Sequence, residues 1–542
     1  MMTMMMMMMK AWKWQWHLSQ PTDAAASSSA PAPASTSLEI RRHCTSTTVC
    51  FLILASCTLV AYAAFFSEQL RLPWTSPCTL CPSALYNPNH LIHIPVAPGP
   101  ASPSSGPTDL SHIVFAIGGS AHTWDRRRSY TELWWRHNYT RGHVWLDHAP
   151  IGTWPDTSPP YMISRNMSRY GNRASASRIA AAVVEAYHLV SLAPEKEQVR
   201  WFVMGDDDTV FFVENLIGVL QKYDHEQMYY LGMPSESVEQ DVMHSYGMAF
   251  GGGGFAISYP AVAELAGVMD TCLDRYAYFY GSDQRIQSCL AELGIPLTRE
   301  PGFHQVDVRG DIYGMLAAHP IAPLVSLHHL DYVKPIIPNR TSQLESLQSL
   351  FSAYRVDPAR ILQQAFCYDA GAGADAGLVL SVSVSWGYTV QVYPSVRPPR
   401  ELETPLQTFK TWRSSSDGPF IFNTRPLSHP NQDPCARPFI YFFDRVLHDQ
   451  TDASLTQYTS DNTSTDHAQG ETKAILCNNK GFSAASRIDR VRVLAPKMDP
   501  FLWKQAPRRH CCTARRTKWG RMLEVQIKYC SPGESTMTPL SI

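Results

Sequence analysis

The chain has 542 residues, enough for two or three domains and a sizeable core. Hydrophobic residues make up 44% of it and charged residues 17%, and the formal net charge is −1. That balance excludes a broadly basic nucleic-acid-binding surface and leaves specificity to local constellations.

Eight of the first nine residues are methionine, and the Ser/Ala/Pro-rich lead "PTDAAASSSAPAPASTS" follows. The run 49–66, "VCFLILASCTLVAYAAFF", has no charged residue and as a helix would reach roughly 27 Å, enough for a bilayer core. It reads as a single transmembrane helix. A signal peptide would lie nearer the start and end in a small-residue cleavage site, and a core helix would not follow so polar a lead. Arg41 and Arg42 precede the run while only Arg71 follows closely, which favours a cytosolic N-terminus and a lumenal bulk. Four N-x-[ST] sequons, at Asn138, Asn166, Asn339 and Asn462, fall in that bulk. Of 13 cysteines, ten lie beyond the run. An even number in an oxidising lumen reads as disulfides, with Cys272 and Cys289 a candidate pair. Neither Cys78/Cys81 nor His510–Cys512 shows a complete zinc spacing.

The Pro, Ser and Gly of 82–111 give a flexible stem. From Ile113 onward short apolar runs alternate with helical patterns: "IVFAI" at 113–117, "VWL" at 144–146 and "VRWFVM" at 199–204. Ile179, Ala182, Val183 and Ala186 fall at helical spacing between the last two. Strands alternating with helices imply an α/β domain with a mainly parallel sheet. After Asp208 the helical spacing returns at Leu216, Val219, Leu220 and Tyr223, with Asp208 or Thr209 as the expected N-cap. The acidic triplet of "WFVMGDDDTVFFV" therefore sits at the carboxyl end of a strand, where open α/β sheets bind ligands. Beyond about residue 340, "SVSVSW" and "LEVQIKY" alternate strictly, as half-buried antiparallel strands do.

Three adjacent carboxylates repel unless a cation or full solvation relieves them. A solvated acidic turn is the ordinary explanation, but the apolar flanks "WFVM" and "VFFV" argue against it here. An EF-hand loop is a poor fit, since Val210 would occupy a ligand position and Phe211 the required glycine. A divalent ion shared with a phosphate-bearing ligand fits better. Three later segments could complete such a site. The glycine run of "FGGGGFAISYP" at 250–260 permits close backbone approach, though alone it reads as a flexible loop, and Pro260 marks a helix start. Asp283 opens the helical segment "SDQRIQSCL", where an N-cap is the simpler role. His328 and His329 follow an apolar run, as metal ligands or as ordinary polar residues at a strand end.

In this order, the strand ending in DDD, the glycine run, the acid in "SDQRIQSCL" and the histidine in "HHLD" resemble the Fringe-like inverting β-1,3-glycosyltransferases. The resemblance is closest to the plant branch, which carries an additional C-terminal region. The motifs span residues 112–335. The resemblance implies a GT-A-like, Rossmann-type nucleotide-sugar domain with a β-rich C-terminal accessory region, preceded by the transmembrane helix. The organisation it suggests is a tail at 1–47 without fixed structure, an anchor at 48–66, a stem at 67–111, a transferase domain at 112–340 and the accessory region at 341–542. Carried over residue by residue, it makes Asp208 a metal ligand and His329 the second, with His328 as the fallback. Asp206 and Asp207 would lie near the donor, as would Gly252, Gly253 and Ser120 of "GGS", beside the basic "DRRRS" at 125–129. Asp283 would be the general base. The implied cofactor is Mn²⁺ or another divalent cation, the partners a UDP-sugar donor and a glycan or glycoprotein acceptor, with no nucleic acid. The implied location is the Golgi membrane, in single-pass type II orientation. Ser282 and Gln287 replace the family's usual acid and glycine, which keeps open a catalytically weak or inactive carbohydrate-binding or scaffold protein of the same fold.

Overall fold

The strand Ile113–Gly118 is buried along its whole length, and its side chains divide between two cores: Ile113, Phe115 and Ile117 on one face, Val114 and Ala116 on the other. Trp201–Asp206 does the same, with Trp201 and Val203 on the first face and Phe202 and Met204 on the second. Continuous apolar runs are what a sheet covered on both faces requires. The structure, a computed structural model, describes Thr58 and residues 106–193, 198–338, 340–371, 378–426, 434–460, 477, 479–517 and 519–537. The 49–66 run, Cys78/Cys81, Asn339 and Asn462 lie outside the described residues, apart from Thr58. Among the described residues no helix is long and apolar enough to cross a membrane.

The two strands are the centre of a seven-stranded sheet in the order Tyr161–Ile163, Arg141–Leu146, Ile113–Gly118, Trp201–Asp206, Phe255–Ser258, Tyr230–Gly232, Leu297–Arg299. Phe255–Ser258 runs antiparallel to both neighbours, and the other pairings are parallel. Helices Ala174–Ser191, Tyr259–Arg275 and Ser282–Glu292 cover one face through Ala182, Val183, Ala186, Leu265 and Ile286. Pro260 lies in the first turn of its helix, where its missing N–H costs nothing. The Cys272–Cys289 disulfide joins the last two of these helices.

One expectation is corrected after the acidic turn. The next helix is Val213–Leu220, with Phe212 as N-cap and no side-chain capping bond, so neither Asp208 nor Thr209 caps it. Val210–Phe211 instead forms a short strand paired with Ser326–Leu327, and backbone bonded in a ladder cannot also begin a helix.

A second sheet has eight strands, ordered Gln364–Ala370, Val379–Ser385, Thr389–Tyr393, Phe439–Asp449, Ala453–Ser460, Arg490–Pro496, Met522–Lys528, Cys511–Arg516. Cys367 and Cys512, on the two outermost strands, are disulfide-bonded with Cα atoms 5.2 Å apart. The sheet therefore curls until its edges meet, which removes them as templates for aggregation. Cys511 bonds Cys530 in turn. Met522–Lys528 alternates in burial as its sequence suggests, whereas Val379–Ser385 is buried on both faces. Its serines are covered by neighbouring chain: Ser381 accepts from Arg397 N at 2.8 Å, and Ser385 donates to Leu316 O at 3.3 Å. Pro103–Ile542 forms one compact unit. Val308–Gly310 pairs with Phe409–Thr411, and one apolar core holds Phe115, Leu327, Val384 and Val493 together.

Candidate functional site

Asp206 is the last residue of its strand, and Asp207 and Asp208 make the turn that follows. Thr209 fixes that turn: its Oγ1 accepts from Asp206 N at 2.8 Å and donates to the Gly252 carbonyl at 2.7 Å. The antiparallel register Leu327↔Val210 then brings His328, 120 residues away in sequence, opposite the triplet.

The His328 Nε2 lies 3.1 Å from Asp208 Oδ1 and 3.9 Å from Asp206 Oδ2. Ligand atoms of Asp206, Asp208 and His328 all fall within 4.8 Å of one another. Gly252 makes this possible, because a Cβ there would meet the imidazole at 2.1 Å. Its neighbour Gly253 donates to Gln305 Oε1 at 2.6 Å, and Gln305 O lies 3.3 Å from His328 Nδ1. The two glycines are buried and shape the wall behind His328.

Burial disfavours an imidazolium at His328, but the Asp208 and Asp206 carboxylates more than offset it and raise its pKa to about 9. Burial pushes the Asp208 carboxyl up, and His328 and Arg127 pull it far below the usual range. Asp206 has the opposite fate: desolvation in the cleft, with repulsion from its acidic neighbours, lifts it to about 7 although His328 opposes. Side by side, one carboxylate is fixed in charge and one is poised to change it.

The other counter-charge comes from Arg127 on helix Trp124–Glu132. Its guanidinium lies 2.8 Å from Asp207 Oδ1, 3.2 Å from Asp208 Oδ2 and 3.7 Å from Asp331 Oδ2. Thr123 donates to Asp207 Oδ2 at 2.6 Å. Asp207 is therefore engaged on both oxygens, whereas Asp208 Oδ2 is buried without a hydrogen bond. That oxygen, held only by the Arg127 ion pair, the partly exposed Asp206 carboxylate and an imidazole nitrogen suit a hard or borderline divalent cation. The donor set fits one, and the residues that would hold it are Asp206, Asp208 and His328.

His329 is placed differently. Its backbone is left-handed, φ 51°, its Nδ1 sits 2.9 Å from Asp307 Oδ1, and its ring stacks on Trp412 with centroids 4.4 Å apart and 3° between planes. Burial and the charge of His328 lower its pKa. Of the adjacent histidines, His328 joins the acidic pair, while His329 lines the same cleft and packs against Trp412 of the C-terminal region.

The triplet opens into a cleft of about 220 Å³ walled by Gly118, Gly119, Ser120, Arg127, Arg178 and His328. Asp147 shapes this wall, accepting from Ser120 Oγ at 2.8 Å and Ala121 N at 2.9 Å. Arg178 donates to the carbonyls of Trp145 at 2.7 Å and Gly119 at 2.9 Å. Asp283 lies in the first turn of Ser282–Glu292 and is not its cap, which is Gly281. Gly251 N donates to its Oδ2 at 3.0 Å and Gln284 N to its Oδ1 at 2.9 Å. Burial raises its pKa against those two donors. Gly251 to Gly253 thus connects the two acidic centres.

Arg127, Asp147, Asp307 and Trp412 are not singled out in sequence. "DRRRS" marks the basic segment, but which arginine turns inward depends on helix phase against the triplet. Nothing local marks Trp412, whose position follows from the pairing of Phe409–Thr411.

Two relatives share part of the chain. A beta-1,3-glucosyltransferase of Mus musculus is 32% identical over 144 residues, 25% of this chain and 27% of that protein. A beta-1,3-glucosyltransferase of Homo sapiens is 30% identical over 117 residues, 20% of this chain and 21% of that protein. The chain thus spans about a quarter of the length of the curated relatives it matches. A family model described as "Protein of unknown function, DUF604" matches residues 240–512, from the approach to the glycine run through Asp283, the histidine pair and Trp412 into the second sheet. That match covers half of the 542 residues, and the chain belongs to the DUF604 family.

Proposed function

We propose that the chain is a glycosyltransferase that moves a sugar from a UDP-sugar to a hydroxyl of a glycan or glycoprotein with inversion, forming a β-1,3 linkage. In this reading it is a single-pass type II protein of the Golgi membrane with its bulk in the lumen. The observation that carries the reading is the convergence of Asp206, Asp208 and His328 at a strand's carboxyl end, facing a cleft walled by two arginines. The partial likeness to beta-1,3-glucosyltransferases supports it and makes UDP-glucose the first donor to try.

Asp206, Asp208 and His328 would hold a divalent cation, Mn²⁺ in the first instance, which would supply Lewis-acid stabilisation of the negative charge developing on the leaving group. Arg127 and Arg178 add positive charge to the same cleft, with Ser120 and Asp207 on its donor side. Asp283 takes the proton of the acceptor hydroxyl while that oxygen bonds to the anomeric carbon and the bond to UDP breaks with its electrons. A carboxyl of raised pKa is the stronger base for that task. One acid-base carboxylate suffices, unlike the opposed pair of a glycoside hydrolase.

The test is a screen of UDP-sugars against the full chain with Mn²⁺, scored by UDP release. Turnover of one donor supports the reading. Silence with every donor, alongside retained glycan binding, selects the non-catalytic carbohydrate-binding protein. The Arg127 ion pairs that already offset the charge of Asp207 and Asp208 favour that second reading.

A further inference from the structure

The segment 276–281, "YAYFYG", links helix Tyr259–Arg275 to the helix that carries Asp283 and contains no charged residue. Tyr278 is 63% exposed and Tyr280 80%. The Phe279 ring lies 4.5 Å from Tyr278 and 5.8 Å from Tyr276, centroid to centroid. Single exposed aromatics on a surface need no explanation. Here the segment is fastened from beneath. Arg285, with no exposed surface, donates from Nη2 to the carbonyls of Ala277 at 2.9 Å and Phe279 at 2.8 Å, and from Nη1 to Ser177 Oγ. A guanidinium is costly to bury unless such bonds satisfy it. The Cys272–Cys289 disulfide ties together the two helices that the segment connects. Arg285 and Asp283 share one helix, so the frame that holds the aromatic segment also holds the carboxylate.

We propose that Tyr278 and Tyr280 form the acceptor platform, on which a neutral pyranose of the acceptor glycan lays its apolar C–H face while a hydroxyl reaches Asp283. The inference rests on Asp283 acting as base, which puts the acceptor beside the start of the helix that carries it. A neutral sugar fits because the segment offers rings and no cation, and an anionic sugar would meet the Asp283 carboxylate. The Arg285 bonds hold the backbone that carries the rings, which lowers the ordering cost of recognition by stacking.

Saturation-transfer NMR of the full chain with the neutral disaccharides cellobiose, lactose and laminaribiose tests the platform, while calorimetry with UDP and Mn²⁺ tests the donor site separately. The wild type is expected to bind at least one disaccharide. Tyr278→Ala with Tyr280→Ala should weaken it about tenfold, Tyr280→Trp should retain it, and UDP binding should be unchanged throughout. Equal disaccharide binding by the double variant, or none by the wild type, overturns the platform. Absence of UDP binding by the wild type, with disaccharide binding that still follows the tyrosines, overturns the transferase reading and leaves a sugar-binding platform without the acceptor role.

Discussion

Charged side chains are handled differently by the two sheets. In the eight-stranded half two arginines with buried side chains are paired off: Arg360 with Asp357 at 3.1 Å, with Pro496 O at 2.6 Å and with His510 at 3.0 Å, and Arg516 with Asp369. At the carboxyl end of Trp201–Asp206, one Asp208 oxygen has no hydrogen bond and Asp206 faces an open cleft. Closed networks hold a scaffold in one arrangement, whereas incompletely satisfied groups keep capacity for a ligand. The regions meet at Trp412, where the second half braces His329, the neighbour of His328.

The comparison can be broken from either side. The largest effect belongs to the open side: Asp283→Asn should lower transfer by about 10²–10⁴-fold, the range for removal of a general base, with UDP binding unchanged. Retained turnover would remove Asp283 from that role. On the closed side, Asp357→Ala should cost about 3–5 kcal/mol of stability, because it strands a buried guanidinium. Denaturant unfolding reads the loss, and unchanged stability would mean that the network is not the brace described. Gly252→Ala tests the wall between the two: its Cβ must displace His328, and a loss of about 10–100-fold in Mn²⁺ affinity is expected, as for supporting groups around a metal. Unchanged affinity would show that His328 is not a ligand.

The smallest effect concerns Asp241, buried with Oδ2 making no hydrogen bond. Burial, with Glu236 and Asp307 nearby, raises its pKa from 3.8 to about 7, although Ser235 N donates to it. A carboxyl raised by folding stabilises fully below its unfolded pKa, and that contribution is lost as pH rises through the folded value. Asp241→Asn carries no such dependence. The melting temperature of the variant should therefore gain on that of the wild type between pH 4 and pH 7 and level off above. A constant difference would contradict the assignment.

Much of this was legible in the sequence. Apolar runs at 113–117 and 201–204 announced strands of an α/β sheet, and the triplet's position after one of them marked a candidate site. The alternation of 522–528 was equally readable. What sequence could not decide was which of two adjacent histidines turns toward Asp208. That choice depends on a ladder between Val210–Phe211 and Ser326–Leu327 and on a missing side chain at Gly252, both products of tertiary packing. Nor could it decide that Arg127, among three consecutive arginines, is the one that reaches the triplet. The glycines looked like a loop free to touch a donor, and their close fit against His328 and Gln305 appears only when the chain is folded.

The most direct test of the central claim is calorimetry of UDP binding with and without Mn²⁺, on the wild type and on Asp208→Ala. The wild type should bind UDP more tightly with Mn²⁺, and the variant should remain folded and lose that enhancement. A wild type indifferent to Mn²⁺, or a variant that keeps the full enhancement, would contradict a metal and nucleotide-sugar site at Asp206, Asp208 and His328.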